Sequence, residues 1–174
     1  LVTGSVELAN VDLALGSTSG RELALKQLLH SQRPRYDAIV LDCPPGFSLT
    51  AINALVAADA VIVPVTPNYL AAEGLGKLLT AIDTVRSRFA TKARLLGVLL
   101  TIVDVRRKAA EDLRERLRAQ HRDRMFHTEI AASHVLEDAP AAAKTICQFA
   151  PRSAAADAFH RLAGEVLERL RAAR

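Results

Sequence analysis

A chain of 174 residues, half of them hydrophobic and 24% charged, has the size and balance of one globular domain and not of a disordered segment. No apolar run reaches the roughly 18 residues that cross a bilayer, and the front lacks a signal-peptide pattern, so a cytoplasmic protein without a membrane role is expected. Cys43 and Cys147 lie far apart, which argues for a reduced compartment rather than a disulfide framework or zinc site, and a net charge of +4 hints at an acidic partner.

Position 1 is Leu, and the chain opens inside what reads as a structural element, so a fragment of a longer product is expected. The first helix signal is Ser19-x-x-Glu22, a capping box opening a helix to about residue 29 with Leu25, Leu28 and Leu29 on its apolar side. Apolar runs of strand length follow at 38–41, 60–65 and 95–101, each succeeded by a turn signal and a helical pattern. Helices are predicted over 48–57, after the turn Pro44-Pro45, and over 70–89, after Thr66-Pro67-Asn68. The segment 107–120 reads as a charged helix with a narrow stripe of Ala110, Leu113 and Leu117, supported by a pairing of Asp112 with Arg116. The last helix, 153–171, is expected to bury Phe159, Leu162, Val166 and Leu170. Strands alternating with helices predict an α/β fold, a mostly parallel sheet with helices on both faces, in one domain spanning 1–174.

Asp42 is the first chemical candidate. It ends an apolar strand, and Pro44-Pro45 fixes the backbone beyond it, at the sheet edge where α/β proteins collect ligands. Magnesium keeps most of its waters and takes one or two carboxylates, which suits a single Asp acting through water; the competing reading is an Asp that caps the next turn. Two glycine-containing stretches are decoys. In Glu73-Gly74-Leu75-Gly76-Lys77 the glycine five positions before Gly76 and the Ser/Thr after Lys77 are both missing, and the Gly16 to Gly20 loop has no lysine. The histidines show no metal-ligand spacing, and no catalytic residue is assigned. Between Arg106 and Arg124, eight Arg/Lys face four Asp/Glu, an excess of four that equals the net charge of the whole chain. Arg106, Arg107 and Lys108, continued by Arg114, Arg116 and Arg118, form a candidate phosphate-backbone contact, with a solvated helix face as the alternative; no interleaved aromatic implies base stacking.

Y-D-A-I-V-L-D-C-P-P at 36–45, I-N-A-L-V-A-A-D-A-V-I-V-P-V at 52–65, L-A-A-E-G-L-G-K-L-L at 70–79, G-V-L-L-T-I-V-D at 97–104, D-A-P at 138–140 and P-R-S at 151–153 follow one another in an order that resembles the ParA/Soj chromosome- and plasmid-partitioning ATPases, the deviant Walker-A class that includes MinD. That resemblance implies a P-loop NTPase-like fold, ATP and magnesium as cofactors, an ATP-dependent homodimer that binds DNA nonspecifically on the nucleoid, and a ParB-like partner. It places Asp42 as the Walker-B acid and Pro44, Pro45 and Gly46 as the switch II turn. Thr101 and Asp104, with the segment 130–135, fall near the adenine, and Arg106 falls on a DNA-contacting arginine.

The sequence departs from the family in two places. The phosphate-loop strand and helix and the switch I Asp are not in these residues, so ATPase activity is implied only for a longer chain and the 174 residues alone are expected to be inactive. The family's P-R-N-V-R segment reads Ala131-Ala132-Ser133-His134-Val135, with Val135 in place of a second DNA-binding arginine. The alternative function is therefore a non-catalytic DNA- or partner-binding module on the same scaffold.

Overall fold

The computed structural model describes residues 10–104, 106 and 108–172, which fall into two units. One holds the chain up to Asp59 together with Thr80–Arg94; the other holds Ala60–Leu79 and Leu95–Arg174.

In the first unit, helix α1 spans Val11–Ala14, α2 Ala24–His30 and α3 Leu49–Ala57. The capping box at Ser19 does not form. Gly20 adopts the left-handed φ of +72° ahead of a 3-10 turn at Arg21–Leu23, so the extended N-cap geometry that Ser19 would need is displaced. Asn53 replaces it from a distance: its buried Oδ1 accepts the Leu25 N–H at 3.0 Å while its Nδ2 donates to the carbonyls of Arg21 (2.9 Å) and Leu49 (3.0 Å). Leu28, expected on the apolar side, is 71% exposed. Since Asn53→Ala would leave three backbone groups without this partner, it is expected to cost about 1–3 kcal/mol in urea unfolding and to speed amide exchange at Leu25. Helix α3 forms where it was predicted and is capped by Ser48, whose Oγ accepts the Ala51 N–H at 3.3 Å; it ends where Arg33 Nη2 donates to the Ala57 carbonyl at 2.8 Å.

The predicted strand at 38–41 is a correction. Among the described residues no backbone–backbone hydrogen bond involves 37–47, and Val40 is 91% exposed. A strand exists only with a neighbour to complete its ladder, and none of the described strands lies beside this run.

In the second unit, β1 spans Ala60–Val65, and helix α4, Tyr69–Phe89, begins there while its residues from Thr80 belong to the first unit; β2 spans Arg94–Val103, its first residue counted with the first unit, and α5 Lys108–His121; β3 is Ile130–Ala131, followed by α6 His134–Ala141, α7 Ile146–Phe149 and α8 Ala154–Ala172. The three strands form one parallel sheet in the order β1-β2-β3. Asn68 Oδ1 accepts the Ala71 N–H at 2.8 Å, which explains why α4 begins there. On α5 the stripe of Ala110, Leu113 and Leu117 is the buried side as expected, but Asp112 and Arg116 form no ion pair. From α8, Leu162, Val166 and Leu170 pack on a core of Leu96, Leu99, Phe126 and Ile130; Phe159 is 38% exposed and Ala158 is buried in its stead.

The ladder beside β2 is interrupted. Val98 bridges Met125, with the Phe126 N–H on the Val98 carbonyl at 2.8 Å, and pairing resumes only at Thr101 with Ile130. Here β2 advances three residues (98 to 101) while its neighbour advances five (125 to 130), leaving two without partners in the sheet. Side chains fill the gap. Glu165 of α8 accepts the His127 N–H (2.8 Å) and the Thr128 N–H (2.9 Å), and Arg118 of α5 donates to the carbonyls of Phe126 and His127 at 3.2 Å. Arg169 completes the set: it bonds Glu165 Oε1 at 2.8 Å and the Leu96 carbonyl at 3.0 Å, donates to the Met125 carbonyl, and lies 4.3 Å over the Phe126 ring.

Candidate functional site

Asp42 follows the apolar run and lies exposed, and no described residue donates a hydrogen bond to its carboxylate. Pro44 and Pro45 are exposed beyond it, and Gly46 turns the chain with φ +99°, a conformation that suits glycine. Among the described residues, apart from its chain neighbours, no atom lies within 4 Å of a Cβ built at Gly46, so the backbone angle calls for glycine there. Cys43 stands beside the acid. Partial burial of its sulfur, and then the negative charge of Asp42, push its thiol pKa up, the reverse of what an activated nucleophile needs.

Thr101, Asp104 and Arg106 gather at the carboxyl end of β2, in the other unit. Between Thr101 and Val103 the pairing with β3 slips, and Ile102 takes φ +53° with 64% of its surface exposed. A β-branched residue in the left-handed region is strained, and bulges of this kind end pairing and redirect the chain. Nothing in the sequence signalled it. Past the bulge, Asp104 Oδ1 accepts the Arg106 N–H at 3.1 Å and its Nε at 3.2 Å, so a tight turn sets the Arg106 guanidinium outward with 84% of the side chain exposed. Lys108, also exposed, is the first residue of α5, where the helix dipole disfavours a cation; such a breach of a local rule is typical of functional positions. Arg107 lies outside the described residues.

The rest of the expected basic stretch is divided. Arg114 donates to both oxygens of Glu129 at 2.8 Å, and Arg118 Nε bonds the same carboxylate at 2.8 Å. The hydrogen bond that Arg114 donates to Glu129 outweighs burial and raises the Arg114 pKa further. Both guanidiniums are thus committed to internal partners, whereas Arg116 is exposed. Across the sheet from Thr101, Ile130 is buried; Ser133 opens α6 without a side-chain cap bond, and Val135 is half-buried.

Both decoys are accounted for. Residues 73–77 lie within helix α4, and the loop before Gly20 is closed by Arg21 Nη1 on the Gly16 carbonyl at 2.7 Å. Among the described residues there is no cluster of three or more metal-ligating side chains and no helix long and apolar enough to cross a membrane.

Residues 1–95 match the family model of an AAA domain. The chain is 39% identical over 173 residues to the chromosome-partitioning ATPase Soj of Thermus thermophilus, covering 99% of this chain and 65% of that protein. It is 36% identical over 166 residues to the sporulation initiation inhibitor protein Soj of Bacillus subtilis, covering 95% and 66%. The chain thus spans just under two thirds of these relatives. Among solved structures it is similar to cobyrinic acid a,c-diamide synthase from Mycobacterium smegmatis, crystallised with ADP and magnesium, at 27% identity and a TM-score of 0.79 over 98% of this chain and 63% of that one. The cell division ATPase MinD of Pyrococcus furiosus shares the fold, with a TM-score of 0.67 at 19% identity over 84% and 58%.

Proposed function

Because the chain belongs to the AAA-domain family and is of the ParA/Soj partitioning type, we propose that it supplies the magnesium-side acid and the DNA-facing helix of an ATPase for chromosome or plasmid segregation. Asp42 is the residue to hold magnesium through water. Its carboxylate fits that role because it is exposed, has no described internal donor and is followed by a rigid turn through Pro44, Pro45 and Gly46. Magnesium there would neutralise phosphate charge when ATP is bound. Thr101 and Asp104, at the bulged end of β2, are the residues of the second unit assigned to the neighbourhood of the adenine.

DNA contact rests on Arg106. A turn built by Asp104 holds its guanidinium outward beside Lys108, while Arg114 and Arg118 are withdrawn to Glu129; Arg107 completes the run in sequence. Such contacts reach the phosphate backbone and not base edges, so binding is indifferent to sequence. An ATP-dependent homodimer, a ParB-like partner and residence on the nucleoid in the cytoplasm complete the reading, supported by the partitioning relatives. In the intact protein with ATP, Arg106→Ala is expected to weaken binding to duplexes of any sequence alike and to reduce the slope of log affinity against log salt by about one. Titrations at several salt concentrations test this, and an unchanged slope would show Arg106 to be a solvated surface charge.

A further inference from the structure

Glu129 stands where helix α5 meets the chain leading into β3. Its side chain is 16% exposed and receives both Arg114 and Arg118, which sit one helical turn apart on α5. Arg118 also donates to the Phe126 and His127 carbonyls, so α5 is fastened to 126–129 at several points. Immediately beyond Glu129, Ile130 is buried and in register with Thr101, and the Ala132 N–H bonds the Val103 carbonyl at 3.1 Å. The two residues before it, His127 and Thr128, are held by Glu165 rather than by the sheet. This stretch therefore lacks a continuous ladder, and its position follows the side chains that grip it. A helix moves as a rod, and the opposite end of α5 is the exposed Lys108, two residues after Arg106 in the chain.

We propose that Glu129 is a positioning residue that couples the basic end of α5 to the backbone at 127–135, so that a polyanion engaging Arg106 and Lys108 alters the order of the segment entering β3. The proposal rests on the reading of that end as a DNA contact. Two guanidiniums on one carboxylate form a joint that cannot yield on one side alone, because releasing either arginine leaves a nearly buried charge with half its partners. By linkage the coupling runs both ways: whatever orders 130–135 also biases the basic end of α5.

The test is amide exchange of 130–132 in the intact protein with ATP, with and without a duplex of roughly 20 base pairs, long enough to fill an electrostatic footprint. In the unmodified chain the duplex is expected to slow exchange there by about threefold or more. Glu129→Gln is expected to bind the duplex within about twofold of the unmodified affinity and to lose that response. A response that persists in Glu129→Gln, or a bound duplex that leaves 130–132 unchanged in the unmodified chain, overturns the proposal. Should the unmodified chain bind no duplex, the DNA reading falls, and the joint is judged from α5 alone. In that case Arg114→Gln combined with Arg118→Gln should speed exchange at 130–132 while Arg116→Gln does not, and equal behaviour of the two variants overturns it.

Discussion

Arg169→Ala is expected to destabilise the protein by about 3–5 kcal/mol, the range found when one partner of a buried ion pair is removed. The Arg169 and Glu165 side chains are 20% and 11% exposed, so solvent does little to weaken their interaction. Without Arg169, Glu165 keeps its burial and loses its counter-ion, and the carbonyls of Leu96 and Met125 lose a donor. Burial is the largest single influence on Glu165 and opposes its charge. The N–H groups of Thr128 and His127, the Thr128 side chain and Arg169 together outweigh it and hold the carboxyl below the usual carboxylate range.

The sign of the pH dependence follows. A carboxyl whose pKa is lower folded than unfolded stabilises fully above its unfolded value, near 4.3 for Glu, and that contribution fades as pH falls through the folded value. Removing Arg169 raises the folded value, so Arg169→Ala should unfold at a higher pH on acid titration than the unmodified protein. Arg169→Lys keeps the charge but lacks the planar fork that reaches Glu165 and two carbonyls, and should recover only part of the loss. Urea unfolding at neutral pH and an acid titration measure both effects; a loss below about 1 kcal/mol would mean that this pair is no stronger than a surface one.

Gly97→Val is expected to be nearly as damaging, and Gly97→Ala to cost about 1–3 kcal/mol, through overpacking and not through lost contacts. A Cβ at this position would lie 2.7 Å from Arg169 Nη1 and 2.8 Å from both Cδ2 and Cε2 of Phe126. Neither neighbour is free to withdraw. Phe126 is fully buried, and Arg169 is pinned by Glu165, by two carbonyls and by the ring itself. Because the Cβ collides with the same guanidinium, the combined Gly97→Ala and Arg169→Ala change should cost less than the sum of the two single changes. Thermal unfolding of the three variants decides it, and strict additivity would show that the Arg169 side chain is not what obstructs the new methyl.

What could be read from the chain was local. Ser48 and Asn68 cap the helices they precede because an N-cap needs only its own first turn, and β1 and β2 are apolar enough to be found as runs. The order of short motifs likewise indicated the partitioning-ATPase family, and the turn that Gly46 makes after Pro44-Pro45 could be read from its residues. The charge of α5 was visible too, but not its division into arginines that face outward and arginines that face Glu129, since Glu129 lies 15 residues beyond Arg114 in the chain.

The misread elements failed for the same reason. The run at 38–41 has the composition of a strand, yet a strand is a property of two segments, and among the described residues no second one is there. Ser19 had the residue type of a cap, but with Gly20 left-handed the task passed to Asn53, an acceptor 28 residues beyond the Leu25 N–H that it binds. The bulge at Ile102, the broken ladder at 127–129 and the grip of Glu165 and Arg169 on it join residues up to 73 positions apart. The sequence by itself determined the elements whose hydrogen bonds close within a turn, together with the kinship. Only the tertiary structure decided which charges are spent internally and which remain for a partner, because an ion pair across the fold depends on which helices the packing brings together.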